Sequence, residues 1–464
     1  MTFLPFAHAL VARQDLPIPA WLFAWGASLV LIVSFFALSI AWRMPRFEDE
    51  HWRPLSSSLS RALLGIPAQA VCGALGVFLL GVAIYAGLHG TEAPDRNLAL
   101  TFLFVTVWLG FPLFSVALGD VFRPFNPWRA LGRLAGAGFS GLVRQRPAHL
   151  EYPEWLGRWP AAVGLVAFVW LEVVYGGSGG VAVGLSPHVA AVAALLYSGY
   201  TLAMMVVFGT EQWCRTSEVF SVYFGMFGQL GSFGVKDGRL GVRRPLSAAT
   251  RWASVPGSAA VVIASIATTS FDGAQEGAFR AAIEKVFNRL VDAGAEPLTA
   301  LRLTDTMFIV LTFVGVGLVY LIGVRGMASV RGAPSLKKLR TGFAHTLIPI
   351  AFAYLVAHYF SLFVFQEQAQ FTYLLSDPLG TGTTNLFGTA SGSIDFQLLS
   401  ANAIWYVQVG ALVVGHVTGL TLAHDRATAY WGDYRQAARS QYWMLAVMVA
   451  FTCFGLYLLS VANS

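Results

Sequence analysis

Five ionisable residues in apolar surroundings carry the clearest chemical signal in the chain: Glu172, Asp272, Asp305, His358 and Glu367. Carboxylates gathered around one histidine suit a hard or borderline divalent metal, with His358, Asp272, Asp305 and Glu367 as ligands. They equally suit acid–base chemistry or a proton relay, with His358 and Glu172 in the working roles. The competing reading is a set of separate interfacial carboxylates and a histidine that joins helices by hydrogen bonding. A second set, His416, His424 and Asp425, lies in GHVTGLTLAHDRATA (415–429), where the histidines are eight residues apart and fall on one side of a helix. Asp425 followed by Arg426 reads as an ion pair at a membrane boundary. His358 and His416 lie at depths roughly 12 Å apart, which does not suit haem ligation by two histidines.

Two further stretches carry motif-like chemistry. SDPLGTGTTNLFGTA (376–390) is rich in Gly and Thr, so its backbone N–H groups offer an anion cradle, with a simple turn as the alternative. GDVFRPFNPWRALGR (119–133) has two prolines that stop a helix, and its Trp128 and arginines suit the lipid headgroup level. No HExxH pair or P-loop is present. Cys72, Cys214 and Cys453 are too scattered for a disulfide framework.

The elements that must position these residues are membrane spans. Of 464 residues, 56% are hydrophobic and 12% charged, and the mean hydropathy of +0.62 excludes an ordinary soluble enzyme. Ten helix-length apolar stretches occur, at 20–42, 65–88, 97–119, 160–177, 187–209, 256–271, 305–324, 342–365, 400–422 and 441–462. The sixth is short and rich in Ala and Ser, which suits a helix packed among others. With both termini outside, 24 of the 30 basic residues fall in the inner loops 43–64, 120–159, 210–255, 325–341 and 423–440. Topology thus accounts for the net charge of +6 without nucleic acid. The expected fold is an all-α polytopic bundle in the bilayer.

Between the spans, residues 274–293 place Phe279, Ile283, Val286 and Leu290 at helical spacing, predicting an amphipathic outer helix that caps the bundle. Residues 218–233 predict an interfacial or re-entrant helix, followed by a turn and basic loop in KDGRLGVRRP. Residues 1–19 read as an outer tail or the remnant of a signal peptide. Cleavage after Ala7 would leave His8 as an N-terminal copper chelator.

ALVARQDLPIPAWLFAWGASLVLIVSF (9–35), together with the stretches at 119–133, 376–390 and 415–429, resembles the bacterial membrane proteins known as fenitrothion hydrolases, over essentially the whole chain. The resemblance implies hydrolysis of organophosphorus triesters in the bacterial inner membrane but assigns no catalytic residue. Metal-assisted hydrolysis of that kind needs an activated water and a polarised P=O. Three functions stay open: handling of a small solute or metal ion by a transporter-like protein, triester hydrolysis, and an accessory role in copper handling or complex assembly.

Overall fold

A computed structural model describes residues 20–49, 51–143, 149–177, 185–252, 255–275 and 277–462. The expectations for residues 1–19, including His8, lie outside the described residues. About 74% of the structure is helical. Eight helices among the described residues are long and apolar enough to cross a membrane: Ser57–His89, Leu98–Leu118, Trp159–Gly176, Pro187–Phe208, Pro297–Ala328, Leu336–Leu374, Ala401–Trp431 and Tyr434–Leu458. This fits a multi-pass membrane protein. The bundle's two ends are called inner and outer after the charge distribution.

The other two predicted spans are also helical, as Ala20–Ala41 and Ser258–Gln275. Ser258–Gln275 is the central element. It packs on Trp159–Trp170, Pro297–Ala328 and Ile348–Ala369, and nearly all its residues are buried. Its weak hydropathy follows, since a helix enclosed by protein needs small residues for close approach rather than a lipid-facing surface. The hydroxyls of Thr268 and Thr269 donate to the carbonyls of Ala264 and Ser265, so they impose no unpaired polar group on the core.

The stretch 218–233, anticipated as an interfacial or re-entrant helix, contains the short apolar helix Val219–Gly228, and it is enclosed by protein. All its residues except Ser221 are buried. Its rings organise an aromatic core: Tyr223 stacks on Trp108 at 4.4 Å, Phe220 on Trp128 at 5.5 Å, and Phe224 on Phe111 at 5.5 Å. Glu218, fully buried, caps this helix. Its carboxylate accepts from the Phe220 and Ser221 amides, from Asn126 Nδ2 at 2.8 Å and from the Tyr197 hydroxyl at 2.6 Å. Beyond the helix, Gly228 and Gly231 let residues 119–120 pass, because a Cβ at either position would lie under 3.0 Å from backbone nitrogen.

The segment read as a turn and basic loop is a hairpin. Phe233–Lys236 pairs antiparallel with Arg239–Val242, and Arg53–Pro54 adds a third strand. Asp237 and Gly238 both have positive φ, 50° and 71°, as a two-residue hairpin turn requires. The amphipathic outer helix starts later than its periodicity suggests, at Arg280–Asp292, because Ala274 and Gln275 complete the central helix. Ile283 is buried, and Phe279 meets Phe308 at 5.7 Å, which seats it on Pro297–Ala328.

Candidate functional site

The central helix delivers Asp272, and Ile348–Ala369 delivers His358 and Tyr359 beside it. His358 Nε2 lies 2.8 Å from Asp272 Oδ2, and the Tyr359 hydroxyl donates to the same oxygen at 2.7 Å. Gln275, one helical turn beyond Asp272, donates to its other oxygen at 3.0 Å. The pair is largely withdrawn from solvent, with side-chain exposures of 15% for His358 and 7% for Asp272. Gly273 makes room for the imidazole, since a Cβ there would sit 3.3 Å from His358 Nδ1. With Asp272 ionised, Nε2 carries the ring proton, so the carboxylate fixes the tautomer and orients the ring. Such an imidazole can accept, hold and pass on a proton.

The other predicted members divide. Glu172 lies on the π-helical turn Leu171–Gly176, near enough for its charge to act on the Tyr359 hydroxyl. Asp305 is buried on Pro297–Ala328, the neighbour of the central helix. Glu367 does not join His358. Nine residues along one helix separate them by about 13 Å and half a turn, and Glu367 instead faces Thr106. Among the described residues no group of three or more His, Cys, Asp or Glu could hold a metal ion, so the expected four-ligand centre does not form. Sequence reasoning missed Tyr359 and Gln275, though both stood at helical positions adjacent to residues it had singled out.

In the second histidine set each imidazole is held by a backbone carbonyl. His416 is fully buried, with Nδ1 2.7 Å from the Leu412 carbonyl of its own helix, and His424 Nε2 lies 3.0 Å from the Trp42 carbonyl. Asp425 does not pair with Arg426, because consecutive helical residues point about 100° apart. Its carboxylate accepts from Trp42 Nε1, Arg46 N and Phe47 N, pinning the turn after Ala20–Ala41. Arg426 pairs with Glu48 at 3.0 Å and donates to the Thr250 carbonyl.

In the loop at 376–390, anticipated as an anion cradle or a simple turn, several amides bond within the loop: Gly382 donates to Asp377, Phe387 and Thr389 to Ser376 Oγ, and Ala390 to Asn385. Trp128 does not sit at a lipid interface. It is 6% exposed and its Nε1 donates to Ser198 Oγ.

The arginines of that segment converge instead on Glu211, with Arg133 at 2.7 Å, Arg129 at 2.9 Å and Arg123 at 3.4 Å. Burial alone would raise the Glu211 carboxyl, but the guanidinium groups of Arg129, Arg133 and Arg123 outweigh it and hold the group below its ordinary value. A depressed carboxylate contributes stability above its unfolded value and loses it as pH falls through the folded one. Glu211→Gln therefore lowers the unfolding temperature of the detergent-solubilised protein at neutral pH. The gap from wild type closes as pH falls below the free glutamate value of about 4.3. A gap of equal size at neutral and acid pH contradicts this account of the cluster.

Comparison of the chain with protein-family models, with curated proteins and with solved structures gives no match. The functional reading therefore rests on the residues themselves.

Proposed function

We propose that this is a transporter-like protein of the bacterial cytoplasmic membrane, with ten spans and both termini outside. In this reading the Asp272–His358–Tyr359 cluster binds and relays a proton during passage of a small solute or ion. One observation carries the reading: a single buried carboxylate oxygen, in the last turn of the central helix, is shared by an imidazole and a phenol. Ionisable groups held at membrane depth are costly, and they mark proton and substrate pathways. The central position of the small-residue helix that bears Asp272 supports it further, since that helix touches several others.

The topology has its own test. A reporter fused to the C-terminus is expected to be active on the periplasmic side, and cytoplasmic activity would overturn the orientation.

The Asp272–His358 hydrogen bond also favours a second reading, hydrolysis of phosphotriesters with His358 as an oriented general base. Proteoliposomes of wild type and His358→Gln distinguish the two. The transporter reading predicts proton movement across the membrane that His358→Gln abolishes, and no release of nitrophenol from a dialkyl nitrophenyl phosphate. Histidine-dependent nitrophenol release without proton movement would favour the hydrolase.

A further inference from the structure

Where the helices Leu98–Leu118 and Leu336–Leu374 meet, Thr106 Oγ1, Glu367 Oε1 and Gln370 Oε1 are buried; Thr106 and Glu367 have only each other, and Gln370 Oε1 has no hydrogen-bond partner among the described residues. Glu367 and Gln370 are three residues apart and share a helix face. The Thr106 side chain lies against the Glu367 carboxylate, and Gln370 is only 3% exposed. Both backbones depart from α-helical geometry at this level, with π-helical turns at Phe102–Val107 and Gln370–Leu374. Around the first turn the Trp108 amide donates to the Leu103 and Val105 carbonyls, and the Leu109 amide to Val105. The Phe104 carbonyl is passed over by both. Buried acceptors left unmade are costly, and π-helical turns recur at functional sites.

We infer that this junction binds a dehydrated monovalent cation of the sodium class, coordinated by Glu367, Thr106 and Gln370. The donors are all oxygen, which selects a hard cation. One carboxylate balances one positive charge, whereas a divalent ion would leave net charge in apolar surroundings. The hydroxyl and amide oxygens supply neutral ligands that a proton on Glu367 would not need. The site is separate from Asp272 and His358, and its occupancy does not depend on the proton-relay reading.

The test uses the full chain in detergent, with its unfolding temperature followed across NaCl, LiCl and KCl series at constant ionic strength set by choline chloride. Sodium raises the temperature along a saturating curve, as preferential binding to the folded state requires, and potassium and choline do not. Thr106→Val shifts half-saturation upward by about tenfold, and Glu367→Gln and Gln370→Leu remove the response. Asp272→Asn keeps it, which separates this site from the proton centre. Identical curves in sodium, potassium and choline would overturn the inference. So would a stabilisation that follows pH alone, the mark of a proton on Glu367, or a full sodium response in Thr106→Val should the Glu367 variant fail to fold.

Discussion

Replacing Glu218 by alanine is expected to destabilise the protein by about 4 kcal/mol, the largest effect of any single substitution at the inner face. The carboxylate is fully buried and receives two helix-terminal amides, the Asn126 amide and the Tyr197 hydroxyl. Alanine leaves the two helix-terminal amides and the Tyr197 hydroxyl without this acceptor, and Asn126 Nδ2 with only Ser221 Oγ, in a core where water cannot replace it. It also uncaps Val219–Gly228, the helix on which Trp108, Phe111 and Trp128 stack. Glu218→Gln keeps the shape and one acceptor, and is expected to cost about 1–2 kcal/mol. Unfolding of the detergent-solubilised variants measures both. An alanine variant as stable as wild type would mean that this cap does not hold the helix Val219–Gly228.

The second large effect belongs to Asp272. Asp272→Leu strands His358 Nε2, the Tyr359 hydroxyl and Gln275 Nε2 at once, for an expected loss of roughly 3 kcal/mol. Double-mutant cycles separate the contacts. Asp272→Asn combined with His358→Gln should show a coupling of about 1–2 kcal/mol, and with Tyr359→Phe about 1 kcal/mol. With Glu367→Gln the effects should add to within about 0.5 kcal/mol, because that residue lies on the far side of the helix. Strong coupling to Glu367 together with none to His358 would restore the metal-type grouping in place of the geometry described here.

How much of this was legible in the sequence depends on what kind of information each feature uses. The spans were readable because bilayer thickness and backbone hydrogen bonding constrain length and composition directly. The hairpin at Asp237 and Gly238 had a local signal that a charge-based reading of KDGRLGVRRP passed over. His358 and Asp272 stood out because ionisable groups at membrane depth are rare, but depth alone could not separate Asp272 from Glu367. That distinction needs the rotation of the helix as well as its rise. The arginines at 123, 129 and 133 were assigned to lipid because their partner, Glu211, is about 80 positions away and only the fold brings it near. Asp425 and Arg426 show the opposite error: sequence neighbours on a helix diverge, and each found its partner on the segment that follows Ala20–Ala41.

The central claim is that one carboxylate, Asp272, is the protonatable hub that His358 and Tyr359 share. An infrared pH titration of the reconstituted protein tests it most directly, by following carboxyl and carboxylate stretching bands. The account predicts that one among the chain's pH-responsive carboxyl signals is absent in Asp272→Asn and displaced in both His358→Gln and Tyr359→Phe. A titration unchanged by all three substitutions would contradict it.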